Sequence, residues 1–180
     1  CVVLVADYAN NTSAYRIIYG GEGEDFAGRM FGFTYTNLAS IGTGSRWIEI
    51  DPDHLYVSYN GYEGLTQVGA MDNDIHLTAA EYVDGYVFMA ADNGKIYAAP
   101  QDELSAYSEV GDFTASTGTI WDMAFNYTDN KMYAVGDNSI VYTMNLLTGE
   151  LTQAFTMSLY NPANSSSATF KKLQGLAIDS

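Results

Sequence analysis

Eight residues at two recurring positions of this chain carry the side chains best suited to chemistry. Arg46, His76, Trp121 and Gln174 fall at one position, and Asp7, Asn60, Asp92 and Asp137 fall at the other. In the first set, Trp stacks on a sugar or a cation, Arg and Gln bind oxygens, and His titrates or ligates metal. The second set is a row of carbonyl and carboxylate oxygens, the donor type that Ca2+ takes in sets of six to eight. Each set also has a plainer account. The first could be ordinary rim packing around a wet axial channel. The second could be turn capping, because an Asx side chain bonds a backbone N–H two residues on. Turn capping is the stronger account of the Asp/Asn set.

What places these residues together is a repeat. Ile75–Tyr97 slides onto Ile120–Tyr142 at an offset of 45 residues (75 to 120), matching Ala79 with Ala124, Tyr82 with Tyr127, Asp84 with Asp129 and Asp92-Asn93 with Asp137-Asn138. Short strands recurring at a period of roughly 40–50 residues predict β-propeller blades. First strands are expected near 46–51, 75–81, 120–126 and 173–179, where Arg46–Asp51, His76–Glu81, Trp121–Asn126 and Gln174–Asp179 share one pattern. The fourth place in that pattern is small in three copies, Ala79, Ala124 and Ala177, as an innermost strand near an axis requires. Turns at Asp53-His54, Asp84-Gly85 and Asp129-Asn130 suit two-residue hairpins that need positive φ. They lead into second strands at Leu55–Tyr59, Tyr86–Ala91 and Lys131–Gly136, with Val2–Ala6 matching these. Third strands follow at Ala14–Tyr19, Gly64–Met71, Lys95–Ala99 and Ser139–Asn145, and Thr148-Gly149-Glu150 turns the chain into an outer strand, Leu151–Met157.

The expected fold is therefore all-β: a propeller of four-stranded antiparallel blades, residues 1–180 forming one domain with about four blade equivalents, either a four-bladed ring closed by the two chain ends or, the favoured reading, part of a larger propeller. Gly20–Arg29 and Asn161–Ser167 read as polar loop insertions. First strands are spaced about 30, 45 and 53 residues apart, so the loops differ in length.

Composition narrows the function. The 180 residues carry 7 Lys+Arg against 22 Asp+Glu, a formal charge of −15. Such a chain has no basic face to neutralise phosphates, which excludes nucleic acid as a partner, and an anionic membrane surface repels it. No stretch of 18 apolar residues occurs, so no membrane insertion by a helix is expected. The acidity favours solubility, cationic partners or divalent metal. One cysteine, Cys1, permits no internal disulfide. Asp72-Asn73-Asp74 starts like an EF-hand loop but lacks the Gly and Glu that complete one. No G-x-S-x-G elbow and no phosphate-binding loop is present. Sequons stand at Asn10, Asn11, Asn126 and Asn164.

The run WDMAFNYTDNKMYAVGDNSIVYTMNLLTGELT resembles blades of secreted and cell-surface bacterial β-propeller proteins, of the NHL-like and lactonase-like kinds. Trp121-Asp122 is not the WD40 signature, in which the dipeptide ends a third strand. The resemblance implies the fold and an extracellular or cell-surface location, and leaves the activity open. Three functions are carried forward. The first is a non-enzymatic binding module that recognises a glycan, peptide or protein through the Arg46/His76/Trp121/Gln174 face. The second is a lactonase-like hydrolase using an axial Ca2+ on Asp7, Asn60, Asp92 and Asp137. The third is a structural repeat of a surface protein or filament that self-associates through open blade ends.

Overall fold

The computed structural model describes residues 3–6, 14–19, 30–34, 44–50, 56–58, 61–63, 65–113 and 118–178. Asp7, Asn60, Asp53-His54, the Gly20–Arg29 insertion and Cys1 lie outside them. The chain divides into two compact units, residues 1–77, 82–87 and 99–107 in one and 78–81, 88–98 and 108–180 in the other. The described residues are all-β, in strands joined by turns. Among them no helix is long and apolar enough to cross a membrane.

The first unit is built on β1 (Val3–Ala6), β2 (Ala14–Tyr19), β3 (Met30–Thr34), β4 (Arg46–Ile50), β5 (Tyr56–Ser58), β6 (Gly61–Glu63) and β7 (Leu65–Ala70). Five of these form one antiparallel sheet in the order β1-β2-β3-β4-β7, and among the described residues β5 pairs with β6. This departs from the sequence expectation at two points. Met30–Thr34 is an additional strand. Residues 55–59, expected to pair with 46–51, instead give β5, which folds back on β6 with Ser58 opposite Gly61. The reason is local: residues 56–58 and 61–63 are two residues apart in the chain, so their pairing closes a far shorter loop than pairing with residues 46–50 would. With that hairpin closed, β4 takes β7 as its neighbour, Arg46 opposite Ala70.

The core of this unit gathers on alternate residues of β3 and β4. Phe31, Phe33 and Trp47 are fully buried. Phe33 meets Trp47 edge to face, ring centroids 5.4 Å apart, the arrangement the ring quadrupoles favour. Gly69 sits opposite Trp47, and a Cβ there would come within 3.0 Å of the Leu104 Cβ and 3.3 Å of the Trp47 Cβ. The missing side chain makes room for the indole.

The remaining strands are β8 (Leu77–Val83), β9 (Tyr86–Ala91), β10 (Lys95–Pro100), β11 (Ser108–Asp112), β12 (Ile120–Asn126), β13 (Lys131–Gly136), β14 (Ile140–Met144), β15 (Leu151–Thr156), β16 (Ser158–Asn161) and β17 (Ser166–Thr169). They form two four-stranded sheets, β8 to β11 and β12 to β15, each with its strands in chain order, and a β16–β17 hairpin. The 45-residue offset is visible in detail. Strands β9 and β13 share one alternation of exposed and buried residues. Asn93 accepts the Lys95 amide and donates to the Tyr97 hydroxyl at 2.8 Å, and Asn138 does the same with Ile140 and Tyr142 at 2.8 Å. Asp84 and Gly85 both take positive φ, the two-residue turn expected of them. The counterpart differs: β12 and β13 are joined by four residues, 127–130. There Asn126 accepts the Thr128 amide, and only Asn130 takes positive φ.

The end of the chain departs further from expectation. Asn161–Ser167 is the tip of the β16–β17 hairpin, tied by Asn161 and Asn164 side chains to amides two residues on. Residues 172–178 run outside any strand, so the first strand expected at Gln174–Asp179 is absent from them. Ala177 is exposed where Ala79 and Ala124 are buried. Phe155, Met157, Leu159 and Tyr160 form a run of exposed apolar side chains along β15 and β16.

Candidate functional site

Trp121 and Asp137, one from each predicted set, meet in the second unit. Their meeting depends on a bulge. Ile120 pairs with Gly136 and Asp122 with Val135, so Trp121 is the extra residue of β12 at this point. Bulges re-aim a side chain and increase local twist. The re-aimed indole donates its Nε1–H to Asp137 Oδ1 at 2.5 Å, and the Thr119 amide donates to Oδ2 at 2.9 Å. Close backbone approach is needed here. A Cβ on Gly136 would lie 2.4 Å from the Thr119 carbonyl oxygen, and Gly118 has φ of 71° with Asp137 Oδ2 against it.

Asp137 is thus the anchor of Trp121. The indole N–H holds its carboxyl below the ordinary range, helped by the Thr119 amide and the nearby Lys172 charge and opposed by partial desolvation. In both segments the Asn that follows the Asp caps the turn, Asn93 accepting the Lys95 amide and Asn138 the Ile140 amide.

The ring of Trp121 is occupied. Lys172 Nζ stands 3.4 Å from its centroid, a cation–π contact. Lys172 begins a short strap held at two further points. The Leu173 amide donates to the Gly136 carbonyl at 2.9 Å, and the Leu176 amide to Asp122 Oδ2 at 2.7 Å. Asp122 is 1% exposed, and its other oxygen accepts the Met123 amide at 3.0 Å. Burying a carboxylate this far is tolerable only with such donors. Gln174 lies on the strap as an exposed residue, between the Leu173 and Leu176 anchors.

Glu81, half-buried on β8, belongs to the same electrostatic group. Desolvation pushes its carboxyl up to about 7; the Asp122 charge adds to the rise and the Phe125 amide counters it.

Arg46 and His76 belong to the first unit. Arg46 Nη1 donates to the carbonyls of Gly44 at 2.7 Å, Ser45 at 3.1 Å and Met71 at 3.1 Å, binding the approach to β4 to the end of β7. It serves the backbone there. His76 is half-buried just before β8, between Ile75, whose carbonyl accepts the Ser45 amide, and Leu77, whose amide donates to Ser45 Oγ.

Of the oxygen set, Asp92 is exposed beside Asn93, while Asp7 and Asn60 lie outside the described residues. Among the described residues no group of three or more His, Cys, Asp or Glu is placed to hold a metal ion. The site residues that sequence reasoning missed are Asp122, Lys172, Leu176 and Glu81. Asp122 had a signal: it is a charged residue standing where the aligned copy has Leu77. The arrangement can hold an ammonium or guanidinium on an indole face and accept two backbone amides from an extended segment beside it.

No protein-family model matches this chain, and a comparison with curated proteins finds no match.

Proposed function

We propose that this chain is a non-catalytic recognition module, a set of blades from an extracellular or cell-surface β-propeller, whose Trp121 face binds an extended segment of a protein partner. The observation that carries the reading is the oriented indole. Asp137 fixes the edge of Trp121 while the ring face receives a cation. A preorganised aromatic face of this kind recognises a ligand without losing side-chain entropy on binding. The charge of −15 favours cationic segments and speeds their encounter. Two four-stranded sheets in chain order, sharing the Asn–Tyr hydrogen bonds at one offset, support the propeller reading.

Peptide and glycan arrays probed with the intact chain and with Trp121→Ala test the function. The expected result is selective capture of basic peptides that Trp121→Ala abolishes; binding indifferent to that substitution would sink it. A calcium titration by calorimetry, on the intact chain and on Asp92→Ala/Asp137→Ala, tests the metal-dependent alternative. Saturable binding lost in the double variant would bring the hydrolase forward.

A second reading, a structural repeat that self-associates, is favoured by the exposed Phe155, Met157, Leu159 and Tyr160. Sedimentation over a range of concentrations decides it, with association that Leu159→Asp abolishes as the supporting outcome.

A further inference from the structure

We infer that residues 172–176 are a built-in occupant of the Trp121 face, and that the site takes a lysine-bearing extended peptide in the same register. This rests on the recognition reading and adds the ligand's sequence requirement and a competitor for it. The three anchors differ in what they demand. Only the first, Lys172 on the Trp121 ring, depends on side-chain identity. The second and third are backbone amides, Leu173 to Gly136 and Leu176 to Asp122, which any residue but proline supplies. Between them, a Cβ on Gly175 would meet nothing within 4 Å, so that place accepts any side chain. A ligand thus needs a cation at its first position and no proline at its second or fifth.

The acceptor side is rigid before any chain arrives. Asp122 is buried and held by Met123, Trp121 is held by Asp137, and the Gly136 carbonyl sits at the end of β13. The strap has no such rigidity of its own. Residues 172–178 pair with no strand, Lys172, Gln174 and Gly175 are exposed, and Leu173 and Leu176 are half-exposed. A segment held by one surface cation and two amides, on a site whose amide acceptors Asp122 and Gly136 are buried, is the exchangeable partner of the two.

The test uses tryptophan fluorescence on the full chain. Trp47 is 0% exposed and gives an unquenched baseline, so acrylamide reports Trp121. Lys172→Ala should raise the acrylamide quenching of Trp121 by about twofold, and Lys172→Arg should leave it unchanged because guanidinium also sits on an indole. Leu176→Pro removes the third anchor from the other end and should act as Lys172→Ala does, so failure of one variant to fold leaves the other. The probe is the capped octapeptide KKLQGLAI. It should bind Lys172→Ala about tenfold tighter than the intact chain, since the tethered competitor is gone, and should restore Trp121 protection. A peptide with norleucine in place of both lysines should not bind.

Equal binding to the intact chain and the variant, binding to neither, or quenching that Lys172→Ala leaves unchanged would each overturn the inference. If the octapeptide fails while array ligands still depend on Trp121, recognition stands and only the register falls. If array ligands ignore Trp121 as well, both fall.

Discussion

The segments 75–97 and 120–142 form strands at matching places, and three of the positions where they differ bear on the Trp121 site. Where the first has His76, Leu77 and Ala91, the second has Trp121, Asp122 and Gly136. Leu77 and Asp122 are both 1% exposed, yet one is an ordinary core side chain and the other a buried acid. Ala91 is fully buried with its methyl, while Gly136 has the Thr119 carbonyl where a methyl would go. The three changes act together: the glycine lets 118–119 approach, the bulge turns out the indole, and the acid receives a chain. By contrast Asn93 and Asn138 keep the same two hydrogen bonds. The turn hydrogen bonds are held constant while the residues around Trp121 differ.

The sharpest way to break this comparison is Gly136→Ala, which gives the second segment the residue of the first. It should cost about 3 kcal/mol in urea unfolding, because backbone rather than a side chain must move. The reverse change, Ala91→Gly, should cost about 1 kcal/mol; similar values for the two would remove the close-approach argument.

Glu81 aligns with Asn126 and gives the next effect. Its folded pKa is raised from the ordinary 4.5 to about 7. Between those values the folded state holds a proton that the unfolded chain has released. Stability from this group is therefore full below pH 4.5 and declines as pH rises through 7. Glu81→Gln should flatten that decline, worth on the order of 3 kcal/mol at most. A melting curve series from pH 4.5 to 8 reads it, and an unchanged slope in the variant would assign the decline elsewhere.

Asn93→Ala and Asn138→Ala should each cost about 1 kcal/mol, and the two values should agree. A clear mismatch would mean the shared turn is not equivalent in the two segments. The smallest effect belongs to Asp137, whose sign is opposite to that of Glu81. Its folded pKa is depressed, so its contribution is present above the unfolded value and is lost as pH falls through the folded one. In Trp121→Phe the Asp137 titration, followed by carboxyl NMR, should move up toward the ordinary range.

Much of the strand plan was legible in the sequence because it rests on local chemistry. Asp84-Gly85 asks for positive φ, and the alternation in β9 and β13 follows burial. Asn93–Tyr97 and Asn138–Tyr142 repeat at one spacing. Reading failed where a local signal had a stronger neighbour. Residues 56–58 paired with their near neighbours 61–63 rather than with 46–50, and in Asp-Asn pairs either residue can cap, so the sequence could not say that Asn would. Trp121 and Asp137 were singled out from the sequence, although their pairing through a bulge was not. The contacts of Lys172 and Leu176 were beyond reach, since the pattern placed residues 173–179 in a strand whereas single amides and one cation hold them.

The exposed row of Phe155, Met157, Leu159 and Tyr160 bears on how the protein behaves in bulk solution. At neutral pH the charge of −15 opposes any association of copies through the row. Near the isoelectric pH of about 4.1 that repulsion vanishes and the hydrophobic row governs what neighbouring copies feel. High salt has a related effect at neutral pH, by shrinking the screening length to about 3 Å at 1 M. The expected behaviour is that of a charge-stabilised colloid, with light scattering low at pH 7 in dilute buffer and rising as the pH approaches 4.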